Sequence, residues 1–289
     1  MSSTVASSSP VWGGAEGSVG LLDGKVAFVT GAARGMGRNH AVRLAREGAS
    51  VIGIDIAAPT SPHNGYPATG EADIKETARL LEAEGCPFLV EVADVRDSAA
   101  LDEILGQGVS AFGGRLDVVV ANAGINNWSR FWEMPDDQWQ TMIDINLTGV
   151  WRTLKAAVPR MLSAGNGGSI ITISSVAGLK ALPGQAHYTA AKHGVTGLTK
   201  AAAIELGEYN IRVNSVHPWG VATAMAEDPY VEKTLSAHPS YIMSFGAVLP
   251  ALPTADADDI SDSVIYLASD LSRAVTGTQL TVDMGATKV

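Results

Sequence analysis

Short apolar segments alternate with segments of helical period along almost the whole of this 289-residue chain. The apolar segments carry hydrophobic residues at consecutive positions, as strands do when helices cover both faces of their sheet. Strict alternation of strand and helix is typical of parallel strands joined by right-handed crossovers. We therefore predict one α/β domain with a doubly wound sheet. The predicted strands are 26–30, 51–55, 88–92, 116–121, 170–173, 212–216 and 280–283.

The connecting segments predict helices at 34–47, 74–84, 99–112, 136–162, 188–206 and 258–268. Two further connections are longer than is usual in such domains. Residues 57–73, called the insertion below, contain three prolines and two glycines. Residues 221–253, called the lid below, are rich in Met and aromatic side chains, which favours a cover over a ligand. Residues 1–20 are rich in Ser and Gly and predict a mobile tail, so that the domain spans 21–289.

Charge and composition exclude several classes of protein. The formal net charge is −10 and the sequence pI is about 5.0, which disfavours nucleic acid and anionic membranes as partners. No apolar stretch is long enough for a spanning helix. The single cysteine rules out a disulfide framework within the chain. The N-terminus lacks the features of a secretory signal, so we expect a cytoplasmic protein.

The first predicted strand ends in a glycine-rich turn, Gly31-Ala-Ala-Arg34-Gly35-Met36-Gly37. Glycines permit a tight turn and let the backbone approach a pyrophosphate closely. The helix that follows directs its N-terminus at that negative charge. A glycine cluster alone is weak support, but its place between the first strand and the first helix predicts a dinucleotide site.

The end of the second strand bears on the choice of dinucleotide. Asp55, followed by Ile56, can accept hydrogen bonds from the adenosine ribose and would repel a 2′-phosphate. This favours NAD over NADP. Arg34 argues the other way, because its guanidinium could pair with a 2′-phosphate. We give Asp55 more weight than Arg34 and predict NAD. An NADPH-dependent ketoreductase remains the alternative.

Two further strand ends carry candidate cofactor residues. Asp94 and Val95 follow the third strand and are placed to reach an adenine, although a helix N-cap region is nearly as good an interpretation of Asp94. Asn122-Ala123-Gly124 follows the fourth strand, at the carboxyl edge where such sheets bind ligands.

Tyr188 and Lys192 are four residues apart on a predicted helix and therefore share one face. A nearby ammonium group favours the phenolate and lowers a tyrosine pKa, which makes the phenol a better base. Ser175 lies just past the fifth strand, where its hydroxyl can hold a substrate oxygen. Asn146 lies in the long helix before that strand.

Taken together, these motifs resemble the short-chain dehydrogenase/reductase family from about residue 21 to the C-terminus. The resemblance implies a Rossmann-type sheet of seven parallel strands, with Tyr188 as acid/base and Ser175 orienting the substrate oxygen. It implies that Lys192 tunes Tyr188 and binds ribose, and that Asn146 supports a proton-relay water. It also implies a homotetramer or homodimer built through the two long helices. The resemblance rests on the glycine turn 31–37, on 122–124, and on Asn146, Ser175, Tyr188 and Lys192.

A narrower resemblance points to the carveol-dehydrogenase-like branch. It rests on residues 31–40, on the insertion after Asp55 and on residues 186–193. That branch is associated with the redox peptide cofactor mycofactocin and with NAD held so tightly that it exchanges poorly. The resemblance implies that the insertion covers the adenosine end of NAD.

The sixth strand shows one departure from the family. Relatives often have Pro-Gly here, whereas this chain has Pro218-Trp219-Gly220. Val221 and Thr223 match residues that hold the nicotinamide carboxamide in relatives, and Pro218 is counted with them. Trp219 either walls the substrate pocket or packs under the lid, and the sequence does not separate the two.

The substrate is expected to be an apolar, cyclic and terpenoid-like secondary alcohol or its ketone. Trp128, Trp219, Met225 and Phe245 are the predicted pocket residues, since an apolar ligand needs apolar walls. The histidines do not form a metal site, and the proposed chemistry requires no metal. A non-catalytic NAD-binding sensor on the same fold is the alternative from another class, because fold alone does not grant function.

Overall fold

The computed structural model describes residues 20–289, so the predicted tail, apart from Gly20, lies outside the described residues. Residues 20–289 form one sheet of seven parallel strands in the order β3-β2-β1-β4-β5-β6-β7, which confirms the predicted fold. The strands are β1 (Val26–Thr30), β2 (Ser50–Asp55), β3 (Phe88–Val92), β4 (Val118–Ala121), β5 (Gly168–Ile173), β6 (Ile211–Pro218) and β7 (Gln279–Val282).

The helices flank the sheet, and two of them, α1 and α8, pack against each other. They are α1 (Gly35–Arg46), α2 (Glu71–Glu84), α3 (Ser98–Ala111), α4 (Asp136–Ile143), α5 (Gly149–Ala164), α6 (Ala186–Leu206), α7 (Pro229–Ala237) and α8 (Ala257–Ala268).

The central strands are covered on both faces. All residues of β1 are buried, and they alternate between two hydrophobic cores. Phe28 belongs to the core that includes residues of α3, α5 and α6, whereas Ala27 and Val29 belong to the core that includes residues of α1 and α8. Because each residue faces a covered side, a continuous apolar run suits the strand better than an alternating one.

Most predicted elements are displaced by one to three residues at one or both ends, and two of the predicted helices differ most. The helix predicted at 136–162 is interrupted by a π-helical turn, Asp144–Thr148, between α4 and α5. Helix α2 begins at Glu71 rather than at 74, because Asp73 accepts a hydrogen bond from the Gly70 amide (2.9 Å) and caps the first turn. The last three residues of the insertion are therefore helical.

The lid contains regular structure that the sequence analysis did not predict. Helix α7 starts at Pro229, where Asp228 caps it by accepting from the Tyr230 amide (2.9 Å). Two 3₁₀ segments, Ala224–Glu227 and Pro239–Phe245, flank this helix. The aspartate and the proline are a local helix-start signal that could have revealed it.

The sheet order places the site. After β1 the chain forms β2 and β3 on one side of that strand. It then crosses to the other side, where β4 pairs directly with β1. Ligands of such sheets bind in the crevice beyond the carboxyl ends of the strands at this switch point. The glycine turn after β1 and residues 122–124 after β4 both border it.

Candidate active site

A cavity of about 380 Å³ lies beyond the carboxyl ends of β1, β2, β3 and β4. The insertion lines one side of it, and the start of the lid closes another. Most of the predicted cofactor residues line this cavity, whereas Tyr188, Lys192, Pro218 and Val221 do not. The predicted cofactor residues in its wall are Gly31, Arg34, Gly35, Met36, Gly37, Asp55, Ile56, Asp94, Val95, Asn122, Ala123, Gly124 and Thr223, and the predicted pocket residue there is Met225.

The glycine turn is built by close backbone contact. A Cβ on Gly37 would lie 1.9 Å from the Gly31 carbonyl oxygen, so no side chain fits there. Gly31 has φ +71°, and a Cβ on it would lie 2.9 Å from Ala123 Cα. Helix α1 starts at Gly35 with no side-chain cap. Its first N–H groups are thus left for an anion in the cavity.

Asp55 is fixed by three hydrogen bonds from the protein. Its Oδ2 accepts from the Ala33 amide (3.2 Å), and its Oδ1 accepts from the Ala57 amide (3.1 Å) and the Thr69 hydroxyl (2.8 Å). Two carboxylate oxygens offer about four acceptor positions, so one is left for a ligand hydroxyl. Thr69, in the insertion, was missed by the sequence analysis.

Arg34 is held by the insertion. Its Nη1 donates to the Pro67 carbonyl oxygen (2.6 Å), and its guanidinium lies 5.5 Å from the centroid of the Tyr66 ring. The Tyr66 hydroxyl in turn accepts from the Asn126 amide (3.1 Å), after β4. Arg34 therefore joins the turn to the cover of the cavity.

Asp94 is oriented by a neighbour. Its carboxylate accepts from the Arg96 amide (2.8 Å) and pairs with the Arg96 guanidinium (2.6 Å). It is not the cap of α3, because that cap is Asp97, which accepts from the Ala99 and Ala100 amides. The N-cap interpretation of Asp94 is wrong, while its place in the cavity wall agrees with the cofactor interpretation.

Asn122 ties the end of β4 to the end of β1. Its Nδ2 donates to the Thr30 carbonyl oxygen (2.9 Å), while the Thr30 hydroxyl accepts from the amides of Asn122 and Ala123 (3.1 and 3.0 Å). Its Oδ1 is buried and has no partner among the described residues. Buried polar atoms are nearly always paired, so this oxygen is free to accept a hydrogen bond from a ligand in the cavity. Thr30 begins the glycine motif that the resemblance rests on, but the role of its hydroxyl in tying β1 to β4 was not predicted.

Ser175, Tyr188 and Lys192 come together at the end of β5. Ser175 begins the 3₁₀ turn that follows this strand, and the other two lie one turn apart on α6. Lys192 is 3% exposed, and its Nζ donates to the Ile173 carbonyl oxygen (2.8 Å). That Nζ lies 5.5 Å from the centroid of the Tyr188 ring.

The ionisation of this group differs from the sequence-based expectation. Burial raises the pKa of Tyr188, and the Ser175 hydroxyl acts in the opposite direction. Burial also lowers the pKa of Lys192 to about 8. The lysine was expected to lower the tyrosine pKa, but its ammonium is directed at a backbone carbonyl, and desolvation of the phenol dominates.

Asn146 lies within the π-helical turn. Its Oδ1 accepts from the Ile125 amide (3.1 Å), and its Nδ2 donates to the Ile125 carbonyl oxygen (3.0 Å). A Cβ on Gly124 would lie 2.6 Å from Asn146 Oδ1 and 3.7 Å from Lys192 Nζ. The absence of a side chain at Gly124 thus leaves room for Asn146 Oδ1 beside the backbone that follows β4. Single-turn π-helices are frequent at functional sites.

Three aromatic rings join the lid to the site. Phe245 of the lid lies between Trp128 and Trp219, with ring centroids 5.7 and 5.8 Å away. Lys180 Nζ lies 5.9 Å from the Trp219 ring centroid. Trp219 therefore contacts the lid directly. Met225, the fourth predicted pocket residue, lies instead in the wall of the large cavity.

Two features are absent from residues 20–289. They contain no group of three or more His, Cys, Asp or Glu side chains that could hold a metal ion. They also contain no helix with the length and apolar character needed to cross a membrane.

Comparisons with known proteins agree with this geometry. The protein-family profile described as Enoyl-(Acyl carrier protein) reductase matches residues 31–287. An uncharacterized NAD-dependent oxidoreductase of Mycobacterium tuberculosis is 53% identical over 93% of this chain and 98% of its own. The (-)-trans-carveol dehydrogenase of Rhodococcus erythropolis is 42% identical over 92% of this chain and 98% of its own.

A solved structure extends the likeness to three dimensions. It is a short chain dehydrogenase from Mycobacterium paratuberculosis bound to NAD. It is 45% identical, with a TM-score of 0.91, over 93% of this chain and 100% of its own. Identity at this level over nearly full length, together with the glycine turn and the Ser175–Tyr188–Lys192 cluster, shows that the chain belongs to the short-chain dehydrogenase/reductase family.

Proposed function

We propose that the protein is an NAD-dependent dehydrogenase that interconverts an apolar, cyclic secondary alcohol and its ketone. One observation carries the proposal above all others. A cavity with a glycine-built anion site and an Asp55 carboxylate that keeps one free acceptor position adjoins, at Gly124, the cluster of Ser175, Tyr188 and Lys192. The relatives named NAD-dependent oxidoreductase and carveol dehydrogenase support it.

The residues present fit NAD. The unpartnered Asn122 Oδ1 offers an acceptor, and the uncapped N-terminus of α1 suits a pyrophosphate. The free acceptor position on Asp55 suits a ribose hydroxyl, whereas a 2′-phosphate would meet its negative charge. Arg34 is already engaged with Pro67 and Tyr66 of the insertion, which weakens the case for NADPH.

The reaction uses three side chains around one oxygen. NAD, when bound, supplies the hydride acceptor. Ser175 holds the alcohol oxygen, and the Tyr188 phenolate takes the hydroxyl proton as the carbonyl forms. Lys192 has one N–H on the Ile173 carbonyl oxygen and two left to donate, which would bind a ribose hydroxyl of NAD.

The substrate side is apolar. Trp128, Phe245 and Trp219 stack in a row, and this stack joins the lid to the loop after β4 and the end of β6. A cyclic terpenoid-like alcohol buries its rings against such walls without leaving polar groups unpaired. Trans-carveol is the probe that the named relative suggests.

We also propose that the protein assembles as a homotetramer or homodimer. Trp151 on α5 and Ile204 on α6 are 45% and 83% exposed in the single chain, and apolar side chains on these two helices would be covered by a second copy. Size-exclusion chromatography with light scattering would test this, and a monomeric mass would overturn it.

The function is tested by incubating the purified protein with NAD and trans-carveol and following NADH by absorbance. We expect reduction of NAD, with much weaker reduction of NADP. Tight binding of NAD without turnover of carveol or other cyclic alcohols would favour the sensor. Carvone reduction with NADPH alone would favour the ketoreductase.

A further inference from the structure

A cluster of buried polar side chains lies under the insertion, apart from the glycine turn. Asn127, six residues after the end of β4, is at its centre with 0% exposure. Gln138 of α4 and His187 of α6 are also buried, and Asn64 belongs to the insertion. The cluster thus joins four separate segments of the chain.

The hydrogen bonds of the cluster form a chain in which each group donates to the next, from His187 toward Thr60 of the insertion. Asn127 Oδ1 lies 2.6 Å from His187 Nε2 and accepts from Gln138 Nε2 (2.8 Å). Asn127 Nδ2 donates to Asn64 Oδ1 (3.0 Å), and Asn64 Nδ2 donates to the Thr60 hydroxyl (3.0 Å). Asn127 therefore links His187 to the insertion through its two amide atoms.

The protonation of His187 follows from its surroundings. Burial lowers the pKa of His187 to about 4, so the imidazole is neutral near pH 7 and carries one N–H. Asn127 Oδ1 has no hydrogen to offer, so the imidazole hydrogen is on Nε2 and His187 donates. This donor belongs to the residue immediately before Tyr188.

We propose that Asn127 is a positioning residue that couples closure of the insertion over the cofactor cavity to the placement of Tyr188. The inference rests on the proposed function, because it concerns how the insertion regulates the same active site. If the Asn64 acceptor leaves, the Asn127 amide loses its partner in a buried place. The Asn127 side chain then turns toward other hydrogen-bond partners, and its Oδ1 no longer accepts from the N–H of His187.

The insertion has other ties, of which the Tyr66 hydroxyl accepting from the Asn126 amide reaches the same loop, but within residues 20–289 none of them ends on α6. The Gly65 amide donates to Asp228 of the lid (3.1 Å), and His63 pairs with Asp137 of α4 (3.1 Å). Neither reaches α6. Coupling between two sites is reciprocal. A change in α6 that breaks the coupling must therefore destabilise the closed insertion by the same free energy by which a change in the insertion destabilises the placement of Tyr188.

The first test changes the insertion. Asn64→Ala removes an acceptor on a partly exposed residue. Asn166→Ala, in the loop before β5, is the control, because it removes an amide that donates to Asp117 at the amino ends of the strands, away from the site. With trans-carveol at saturating NAD, we expect kcat of Asn64→Ala to fall about tenfold while KM for carveol stays within about twofold. NAD dissociation should be about five- to tenfold faster.

Comparing the effects of Asn64→Ala on kcat and on NAD release distinguishes coupling to Tyr188 from simple retention of the cofactor. If Asn64→Ala releases NAD faster but keeps the wild-type kcat at saturation, the contact is only a latch on the cofactor and the proposal is overturned. A lower melting temperature with unchanged kcat overturns it as well, since this is what a purely structural contact would show.

The second test changes the helix and needs no turnover. His187→Phe keeps a flat aromatic ring, though a larger one, and loses the donor, whereas His187→Gln places an amide N–H near the position of Nε2. In NAD-loaded protein, we expect hydrogen exchange in residues 57–69 to rise at least fivefold in His187→Phe and to return toward wild type in His187→Gln. Equal exchange in all three proteins overturns the coupling.

This readout separates the two proposals. If wild-type protein oxidises no cyclic alcohol, the proposed function fails, yet exchange in the insertion still tests Asn127. If His187→Phe does not fold, Asn64→Ala alone decides.

Discussion

The glycine turn and the cover of the cavity are built in different ways. The turn is fixed by backbone contacts that allow no side chain, as at Gly37 and Gly31, and it adjoins a buried strand. The cover, formed by the insertion and the start of the lid, is held by single polar contacts between residues far apart in sequence. Gly65 with Asp228 and Asn64 with Asn127 are examples.

This difference indicates a division of labour. A turn without room for a Cβ holds one shape whether or not a ligand is present, and so it sets cofactor affinity. Individual hydrogen bonds between loops each contribute only about 1 kcal/mol, so a cover of this kind can open. Changes in the turn should abolish NAD binding. Changes in the cover should instead alter the rates of turnover and of NAD release, and the preference for NAD over NADP.

The largest effect is expected from the reacting group itself. Tyr188→Phe removes the proton acceptor and should lower kcat/KM by about 10³-fold, within the usual range for a general base. NAD affinity should stay within about threefold, because the variant leaves both the turn and the cover intact. Steady-state kinetics and calorimetric titration with NAD would check both halves, and substantial residual turnover would contradict the assignment.

A change in the turn should remove cofactor binding. Gly37→Ala places a methyl group within 1.9 Å of the Gly31 carbonyl oxygen. We expect NAD affinity to fall about 100-fold, which corresponds to the upper end of the roughly 1–3 kcal/mol that overpacking of this kind costs. Gly197→Ala in α6 is the control, because a Cβ there meets nothing within 4 Å and alanine favours a helix. Isothermal titration with NAD would distinguish the two variants.

Acid should destabilise the scaffold beneath the turn. Burial lowers the pKa of His40, on α1, to about 3, so its stabilising neutral form is fully present above pH 6.5 and its contribution is lost as the pH falls toward 3. At pH 5 this amounts to about 2 kcal/mol. Urea unfolding at pH 7 and pH 5 should show a loss that is smaller in His40→Asn, and an equal loss in both proteins would contradict the prediction.

Cofactor preference is expected to respond at the border between turn and cover. Asp55→Asn keeps an amide of similar shape but removes the charge that opposes a 2′-phosphate. We expect the ratio of NADP to NAD affinity to rise about tenfold. Titration with both dinucleotides measures this ratio, and an unchanged ratio would mean that Arg34 or another group sets the preference.

The smallest effect concerns the lid. Phe245→Ala removes the ring between Trp128 and Trp219. KM for trans-carveol should rise about three- to tenfold, because stacked aromatic pairs contribute about 0.5–1.5 kcal/mol each. NAD affinity should not change. A change in NAD affinity without one in KM would place Phe245 on the cofactor side.

The fold was predictable because its signal is local. Strands β1 and β3 have the predicted boundaries, since both are short runs rich in apolar and β-branched residues, although only β1 is buried throughout and β3 is a partly exposed edge strand. The π-helical turn was not predictable. It depends on Asn146 bonding the Ile125 peptide, 21 residues away, which no helical pattern encodes.

The site was predictable to the extent that motifs encode it. Fixed spacing revealed the glycine turn and the pair Tyr188–Lys192. Asn127 was missed, because its meaning depends on Asn64, 63 residues earlier, and on His187, 60 residues later. The pKa direction of Tyr188 was also missed, since desolvation depends on tertiary packing.

The most direct test of the account is the nucleotide that the protein selects. Freshly purified protein would be denatured and the released nucleotide identified by mass, and nucleotide-free protein would then be titrated with NAD and NADP. The account predicts NAD or NADH in the released material, slow exchange of bound NAD, and at least about tenfold tighter binding of NAD than of NADP. Released NADP, or tighter binding of NADP, would contradict it.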